Sequence, residues 1–291
     1  MKTLLFGIKN ISGKILRSLK NPRLFRYYFD SYVLSRFRRI EPDIYIVSYP
    51  KCGRTWARIM LIKYLELQDR EGGDFGRDGF LLGLPNGKTL KFDHDTADFA
   101  PAPLGIDKLC VDESKYRNKK VCFIVRDPRD VLVSSFYQAK YRDKFYSKKI
   151  TDFIRNDTLG INKVVAFFNI WIKNKNVPRE FLLMTYEEMS ENPRKSFTAL
   201  FNFLEIDTDP AIIDAAIEEA SFSKMKKMEK EGSLSEPWMR SVDEKGENSM
   251  KVRKGKVGGY RDELSIEDIE YLDKIIDSDL TPALSYGKTN K

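Results

Sequence analysis

The chain has one histidine in 291 residues, three cysteines, and no uninterrupted apolar run approaching the ~18 residues of a membrane span. A single imidazole excludes every metal site that needs two. Three thiols cannot build a disulfide framework, and their odd number suits a reducing compartment. Acid is nearly missing from the first 40 residues, where Asp30 stands alone against Lys2, Lys9, Lys14, Arg17, Lys20, Arg23, Arg26, Arg36, Arg38 and Arg39. The whole chain carries 51 Lys+Arg against 43 Asp+Glu, a formal charge of +8. The excess therefore belongs to that segment and the remainder is nearly neutral, which removes the main support for nucleic-acid binding. What is present is core material. Hydrophobic residues make up 42% and aromatics 12%, enough for a sizeable interior and too much for a disordered chain.

Residues 1–40 are patterned as well as basic. Leu4, Ile8, Ile11, Ile15 and Leu19 recur at helical spacing, and Leu24, Phe25, Tyr28, Phe29, Tyr32 and Phe37 follow. A basic amphipathic helix reads as a membrane-surface or partner-docking element. A helix packed on the body with a solvated basic face fits as well, and Gly7 and Gly13 each weaken the helix by about 1 kcal/mol. An Arg-rich, acid-poor start is also compatible with an organelle transit peptide. The expected organisation is a basic N-terminal extension over 1–40 and one domain over 41–291.

Beyond residue 40, short apolar runs alternate with helical patterns. Asp43–Tyr49, Lys120–Val125 and Phe181–Tyr186 read as buried strands, with a short extended piece at Thr89–Asp93. Helices are expected at 55–67, 131–142, 161–174, 193–204, 210–220 and 265–276, the first apolar on most sides. The glycine-dense stretch 70–88 and the charged stretch 229–259 read as loops. Strands alternating with helices predict an α/β fold, a single domain with a central parallel sheet flanked by helices.

Three segments carry chemistry. Tyr49-Pro50-Lys51-Cys52-Gly53-Arg54-Thr55-Trp56 joins a strand to a helix, where backbone amides and one lysine make a phosphate cradle. It is not a GxxxxGK[ST] loop, because the lysine precedes the glycine. Arg126, in Val125-Arg126-Asp127-Pro128-Arg129-Asp130, ends a strand, and Ser134 lies eight residues on; an arginine and a hydroxyl can share one phosphate. Arg253-Lys254-Gly255-Lys256-Val257-Gly258-Gly259 puts cations beside glycines that let backbone wrap an anion. Taken singly, these read equally as an ordinary turn, a salt-bridged helix start and a solvated loop.

Together, in this order and context, they resemble the sulfotransferase family that uses 3′-phosphoadenosine 5′-phosphosulfate. The similarity runs from about Asp43 to about Ile276. The resemblance implies a P-loop-type domain that moves a sulfonate from that co-substrate to a hydroxyl of a small-molecule, lipid or glycan acceptor, with no metal. Lys51 matches the lysine on the bridging oxygen and sulfonate. Cys52 falls within the 5′-phosphosulfate loop, and Gly53, Arg54, Thr55 and Trp56 match positions holding the 5′-phosphate and adenine. Arg126 and Ser134 match the 3′-phosphate pair, and Arg253, Lys254 and Gly255 its second clamp. Tyr186 matches a tyrosine near the adenosine. Phe222 and Met225, in Ala220-Ser221-Phe222-Ser223-Lys224-Met225, resemble the adenine-side segment.

His94 stands where the family has its catalytic base, and the chemistry needs a base with a pKa near 7. The family often has Lys-x-His; here Lys91 is three residues before His94. Cys52 replaces a usual serine, and a thiol at a helix start reads either as acidified and oxidation-sensitive or as a small filler. Arg261, Ser265, Ile266 and Glu270 echo by spacing the family's dimer motif, with every position but the glutamate substituted; a homodimer is the corresponding expectation. The acceptor pocket is expected from 70–95, Phe136–Tyr146 and 233–240 with Trp238. The expected location is cytoplasmic, with peripheral contact on an anionic membrane through residues 1–40. Two other classes remain open at this point: a P-loop nucleotide kinase-like enzyme, and a non-catalytic protein that docks on anionic surfaces.

Overall fold

The computed structural model describes residues 41–68, 81–97, 104–232 and 246–287. The basic segment 1–40, most of the glycine-dense stretch and Trp238 lie outside the described residues. In chain order the elements are β1 (Ile44–Ser48), α1 (Arg54–Gln68), β2 (Leu81–Gly83), β3 (Thr89–Asp93), α2 (Glu113–Tyr116), β4 (Lys120–Val125), α3 (Pro128–Tyr137), α4 (Ile150–Ile154), α5 (Ile161–Lys173), β5 (Glu180–Thr185), α6 (Tyr186–Glu191), α7 (Pro193–Phe203), α8 (Pro210–Glu219), α9 (Phe222–Glu231) and α10 (Ile266–Asp279).

The β-branched and aromatic run of β1 is buried along its whole length and occupies the centre of a five-stranded sheet, order β2-β3-β1-β4-β5. β1 pairs in parallel with β3 and β4, and β4 in parallel with β5. Register decides function here. Val47 is level with Asp93, Ser48 with Ile124, and Ile124 with Met184. The residues that follow these strands, Tyr49 to Lys51, His94, Arg126 and Tyr186, therefore leave the sheet along one edge, the carboxyl edge where open α/β sheets bind ligands.

The sheet is not wholly parallel. β2 runs antiparallel to β3, with Leu82 opposite Leu90, inside the stretch expected to be a loop. Only three residues long, with a tight turn closed by Leu84 N to Lys88 O (2.8 Å) and Gly87 at φ 78°, it is hidden by its surrounding glycines.

Helix faces follow the apolar spacing. α1 buries Ala57, Ile59, Met60, Leu61, Tyr64 and Leu65 and exposes only Glu66, Leu67 and Gln68, so it is covered on most sides as its sequence implies; Tyr64 Oη donates to Asp207 O (2.8 Å) and accepts from Asp209 N (2.9 Å). α5 sets Val164, Phe167, Phe168 and Trp171 against the sheet, with Trp171 stacked 5.4 Å from Phe123. α3 begins three residues before the sequence expectation because Asp127 caps it, accepting from Arg129 N (2.9 Å), and Pro128 starts its first turn. Its last turn widens into a π-turn over Gln138–Arg142, a distortion that often sits at functional sites. α9 is a helix that the sequence reading did not anticipate; it runs three residues into the stretch read as a charged loop and ends on Gly232 in the left-handed region.

Candidate active site

The turn after β1 reverses twice. Lys51 has φ 74° and Gly53 φ 98°, and Gly53 O accepts from Trp56 N (2.9 Å) and Ala57 N (3.1 Å), opening α1. A lysine in the left-handed region is uncommon and costs energy, which concentrates at functional sites. Lys51 Nζ donates to Gln138 Oε1 in the π-turn (2.9 Å). Burial, reinforced by the charge of Arg142, lowers its amine to about 8. Cys52 points the other way: it is fully buried in the core, and burial pushes its thiol up. The acidified-thiol reading is thereby corrected; Cys52 is filler, and only its backbone belongs to the loop.

Arg126 emerges from β4 with its guanidinium 4.2 Å from the centre of the Tyr186 ring. Its Nη2 donates to Lys256 O (3.0 Å) and lies 3.5 Å from Asp130 Oδ2. Asp130, one turn into α3, accepts from Gly258 N (2.8 Å) and Tyr260 N (2.9 Å). One carboxylate thus ties Arg126 to the loop carrying Arg253, Lys254 and Gly255. Arg253 lies 3.8 Å from the Tyr137 ring centre and donates to Glu263 (2.8 Å), which Lys254 also meets at 2.5 Å. Burial pulls the Glu263 carboxyl upward, but hydrogen bonds from Lys254, Tyr137 and Arg253 outweigh it and hold the group at about 2.

Two glycines allow backbone to touch rings. A Cβ on Gly53 would sit 2.6 Å from Tyr186 Cδ2, and one on Gly255 (φ 61°) would sit 2.3 Å from Phe222 Cδ2. Tyr186 Oη donates to Gly255 O (3.2 Å), and Trp56 meets Tyr186 edge-on at 5.8 Å.

His94 directly follows β3. Its Nδ1 is 2.9 Å from Ser48 O; a carbonyl can only accept, so the proton is on Nδ1 and Nε2 is the basic nitrogen. Burial first, then the charge of Arg54, push the imidazole well below its ordinary value, so it is neutral at pH 7. The loop around it is pinned: Lys115 bridges Asp93 (3.0 Å) and Asp95 (3.3 Å). Lys91 is paired with Asp93 (3.1 Å) and does not line the cavity.

A cavity of about 350 Å³ joins these parts. Lys51, Gly53, Arg54, Thr55, Trp56, His94, Arg126, Ser134, Tyr186, Phe222, Met225, Arg253, Lys254 and Gly255 all line it; among the predicted site residues only Cys52 does not. Sequence reasoning missed Asp130 and Lys251, which also line it, as does Gln138 from the Phe136–Tyr146 stretch expected at the acceptor pocket. Asp130 carried a signal, four residues after Arg126 on the same helix start. Lys251 carried only its place two residues before Arg253. Two buried donors on the walls, Arg126 Nε and Trp56 Nε1, have no partner among the described residues. Such donors suit an anionic, base-bearing ligand.

Comparison with known proteins agrees with this geometry. Residues 108–283 match the sulfotransferase domain family. The chain is 25% identical to the amine sulfotransferase of Oryctolagus cuniculus over 286 residues, covering 92% of each, and 25% identical to the flavonol 3-sulfotransferase of Flaveria bidentis over 271 residues, covering 84% and 83%. Among solved structures, mouse sulfotransferase SULT7A1 complexed with PAP superposes with a TM-score of 0.57 at 22% identity, covering 86% of this chain and 88% of that one. Retinol dehydratase in complex with androsterone and inactive cofactor PAP gives 0.58 at 17%, covering 89% and 88%; these two likenesses establish a shared fold. The chain belongs to the sulfotransferase domain family. It is an enzyme of the sulfonate-transferring class, which sets aside the nucleotide-kinase and non-catalytic alternatives. No described helix is long and apolar enough to cross a membrane.

Proposed function

We propose that this enzyme takes its sulfonate from 3′-phosphoadenosine 5′-phosphosulfate and delivers it to a hydroxyl, with His94 as the base. The observation that carries this reading is the convergence of Lys51, His94, Arg126 and Arg253 on one cavity. The residues fit the donor: Arg126 and Arg253 both line the cavity and suit a 3′-phosphate, the amides after Lys51 open a helix for a 5′-phosphate, and Trp56 and Phe222 offer aromatic faces for adenine. The bound donor supplies the activated sulfonate. His94 Nε2 takes the proton of the acceptor hydroxyl, its tautomer held by Ser48 O. Lys51 leaves Gln138 to neutralise the leaving phosphate oxygen, the positioning and electrostatics on which such transfers depend.

The test is calorimetry with 3′-phosphoadenosine 5′-phosphate alongside turnover with labelled donor. Arg126→Ala and Arg253→Ala are expected to weaken binding at least tenfold, and His94→Ala to abolish turnover while binding is retained. Unchanged affinity in both arginine variants, or a near-normal rate in His94→Ala, overturns the assignment.

Two further readings concern partners. A homodimer through the segment around Arg261–Glu270 is supported by Ile266, which is 76% exposed on the first turn of α10; light scattering of Ile266→Glu tests it. Docking of residues 1–40 on an anionic membrane is supported by ten cations against one acid; loss of liposome binding, with activity kept, in a chain starting near residue 40 tests it.

A further inference from the structure

Helix α10 ends at Asp279, and Pro282 keeps the chain from continuing it. The chain from Leu280 to Tyr286 packs back on the body instead. Leu280 and Leu284 are buried, Thr281 N donates to Asn169 Oδ1 (2.8 Å), and Tyr286 N donates to Leu284 O (2.8 Å). Tyr286 is thereby held at both ends. Its hydroxyl donates to Glu187 Oε2 (2.8 Å), and its carbonyl accepts from Arg129 Nη2 (2.9 Å). Burial, then the charge of Glu187, push the phenol well above its ordinary value, so the hydroxyl keeps its proton.

Glu187 spends its other oxygen on the frame of the donor site. Its Oε1 accepts from Asp127 N (3.0 Å). Asp127 follows Arg126 and Glu187 follows Tyr186. This carboxylate therefore cross-links the end of β4 to the start of α6, the two segments whose side chains meet in the 4.2 Å contact of Arg126 on Tyr186. Arg129 closes the ring. It donates to Asp127 through Nε (2.8 Å) and Nη2 (2.8 Å), and through Nη1 to Asp273 on α10 (2.6 Å). Tyr286, Glu187, Asp127 and Arg129 do not line the cavity, whereas Arg126 and Tyr186 do. What the four contribute to binding passes through those two. Taking away the Tyr286 hydroxyl leaves a part-buried carboxylate oxygen short of a donor. The carboxylate regains one by turning, at the expense of its bond to Asp127 N.

We propose that Tyr286 is a positioning residue of the donor site: by holding Glu187 it fixes the Asp127 amide and with it the place of Arg126 over Tyr186, so the segment after α10 sets how tightly the 3′-phosphate is bound. This rests on the proposed donor reading and adds a residue to that same site. The role lies in binding and not in chemistry, because His94 and Lys51 take no part in the ring. The 5′-phosphate, held by the amides after Lys51, is equally outside it.

The experiment compares the full chain with its Tyr286→Phe variant, which keeps the ring and loses only the hydroxyl. Calorimetry with 3′-phosphoadenosine 5′-phosphate is expected to show affinity roughly three- to tenfold weaker, the effect of one hydrogen bond. Adenosine 5′-phosphate, which has no 3′-phosphate, is expected to inhibit both proteins with equal constants. KM for the donor rises with the loss of affinity while kcat holds. A variant that merely folds less well weakens both nucleotides alike. In an Arg126→Ala background the same substitution is expected to change bisphosphate affinity by less than about twofold, because residues that act through one another are not additive. Undiminished bisphosphate affinity in Tyr286→Phe, a parallel loss for both nucleotides, or the full loss repeated on top of Arg126→Ala overturns the inference. If Arg126→Ala itself leaves affinity unchanged, the donor reading falls and the role of Tyr286 with it; if Arg126→Ala weakens binding and Tyr286→Phe does not, only the role of Tyr286 falls.

Discussion

The guanidinium carbon of Arg126 lies over the Tyr186 ring, 4.2 Å from its centre, while the same tyrosine donates its hydroxyl proton to Gly255 O at 3.2 Å. One side chain thus couples the end of β4 to the loop bearing the second phosphate clamp. Removing only the hydroxyl, in Tyr186→Phe, is expected to cost about 0.5–1.5 kcal/mol, a weakening of 3′-phosphoadenosine 5′-phosphate binding of roughly two- to tenfold. Tyr186→Ala also removes the ring beneath Arg126, adding about 0.5–2 kcal/mol. Calorimetry that ranks the two variants equally would refute the stacking role.

Gly53 is the position where backbone freedom decides the site. At φ 98° and with a prospective Cβ 2.6 Å from Tyr186 Cδ2, Gly53→Ala meets both a left-handed penalty of about 1–2 kcal/mol and a ring that must move away from Arg126. The expected outcome is a lower melting temperature together with at least tenfold weaker bisphosphate binding. A variant with both values near wild type would show that the turn relaxes without the site noticing.

Asp130 holds the Gly258 and Tyr260 amides and faces Arg126. Asp130→Asn keeps the shape but turns an NH₂ towards one of the two amides, leaving a buried donor unmet at a cost of about 1–3 kcal/mol. The consequence is a loosened 253–259 loop: bisphosphate affinity drops and hydrogen exchange at Gly258 and Tyr260 rises, while exchange in β1 and β4 stays slow. Unchanged exchange in the loop would count against Asp130 as its tether.

The pH behaviour follows from the lowered imidazole of His94. The reactive form is neutral, so kcat/KM should stay level from pH 7.5 through 6.5 and fall only at lower pH. The same shift has a stability sign. The unfolded histidine binds its proton near 6.5 and the folded one only well below, so the folded state gains nothing above pH 6.5 and loses stability as pH falls through that value. His94→Gln should therefore lose less melting temperature than wild type between pH 7 and pH 5. An acid limb centred at or above pH 7, or equal acid sensitivity of the two proteins, contradicts this.

Much of the fold was legible in sequence because the strands are locally extreme. The runs at Ile44–Ser48 and Lys120–Val125 are apolar enough that burial is their only stable fate, and both form central strands. β2 was not legible, because a three-residue edge strand takes its identity from its partner β3 rather than from its own residues. α9 escaped for a related reason. Its residues are mostly charged, and it is anchored by Met225 and the buried carboxylate of Glu229, a salt-bridge and amide partner visible only once Arg142, Lys251 and Val252 are beside it.

The sequence by itself determined which residues can bind and react: one histidine, one lysine–glycine turn after a strand, two arginine motifs in a fixed order. Those are local properties of residue type and spacing. The tertiary structure decided which nitrogen of His94 is basic, that the Cys52 thiol is filler, that Lys251 lines the cavity while Lys91 does not, and that Asp130 ties the two phosphate arms together. Each of these depends on strand register and on partners scores of residues away, where burial and charge are set by what packs alongside and not by what is adjacent in the chain.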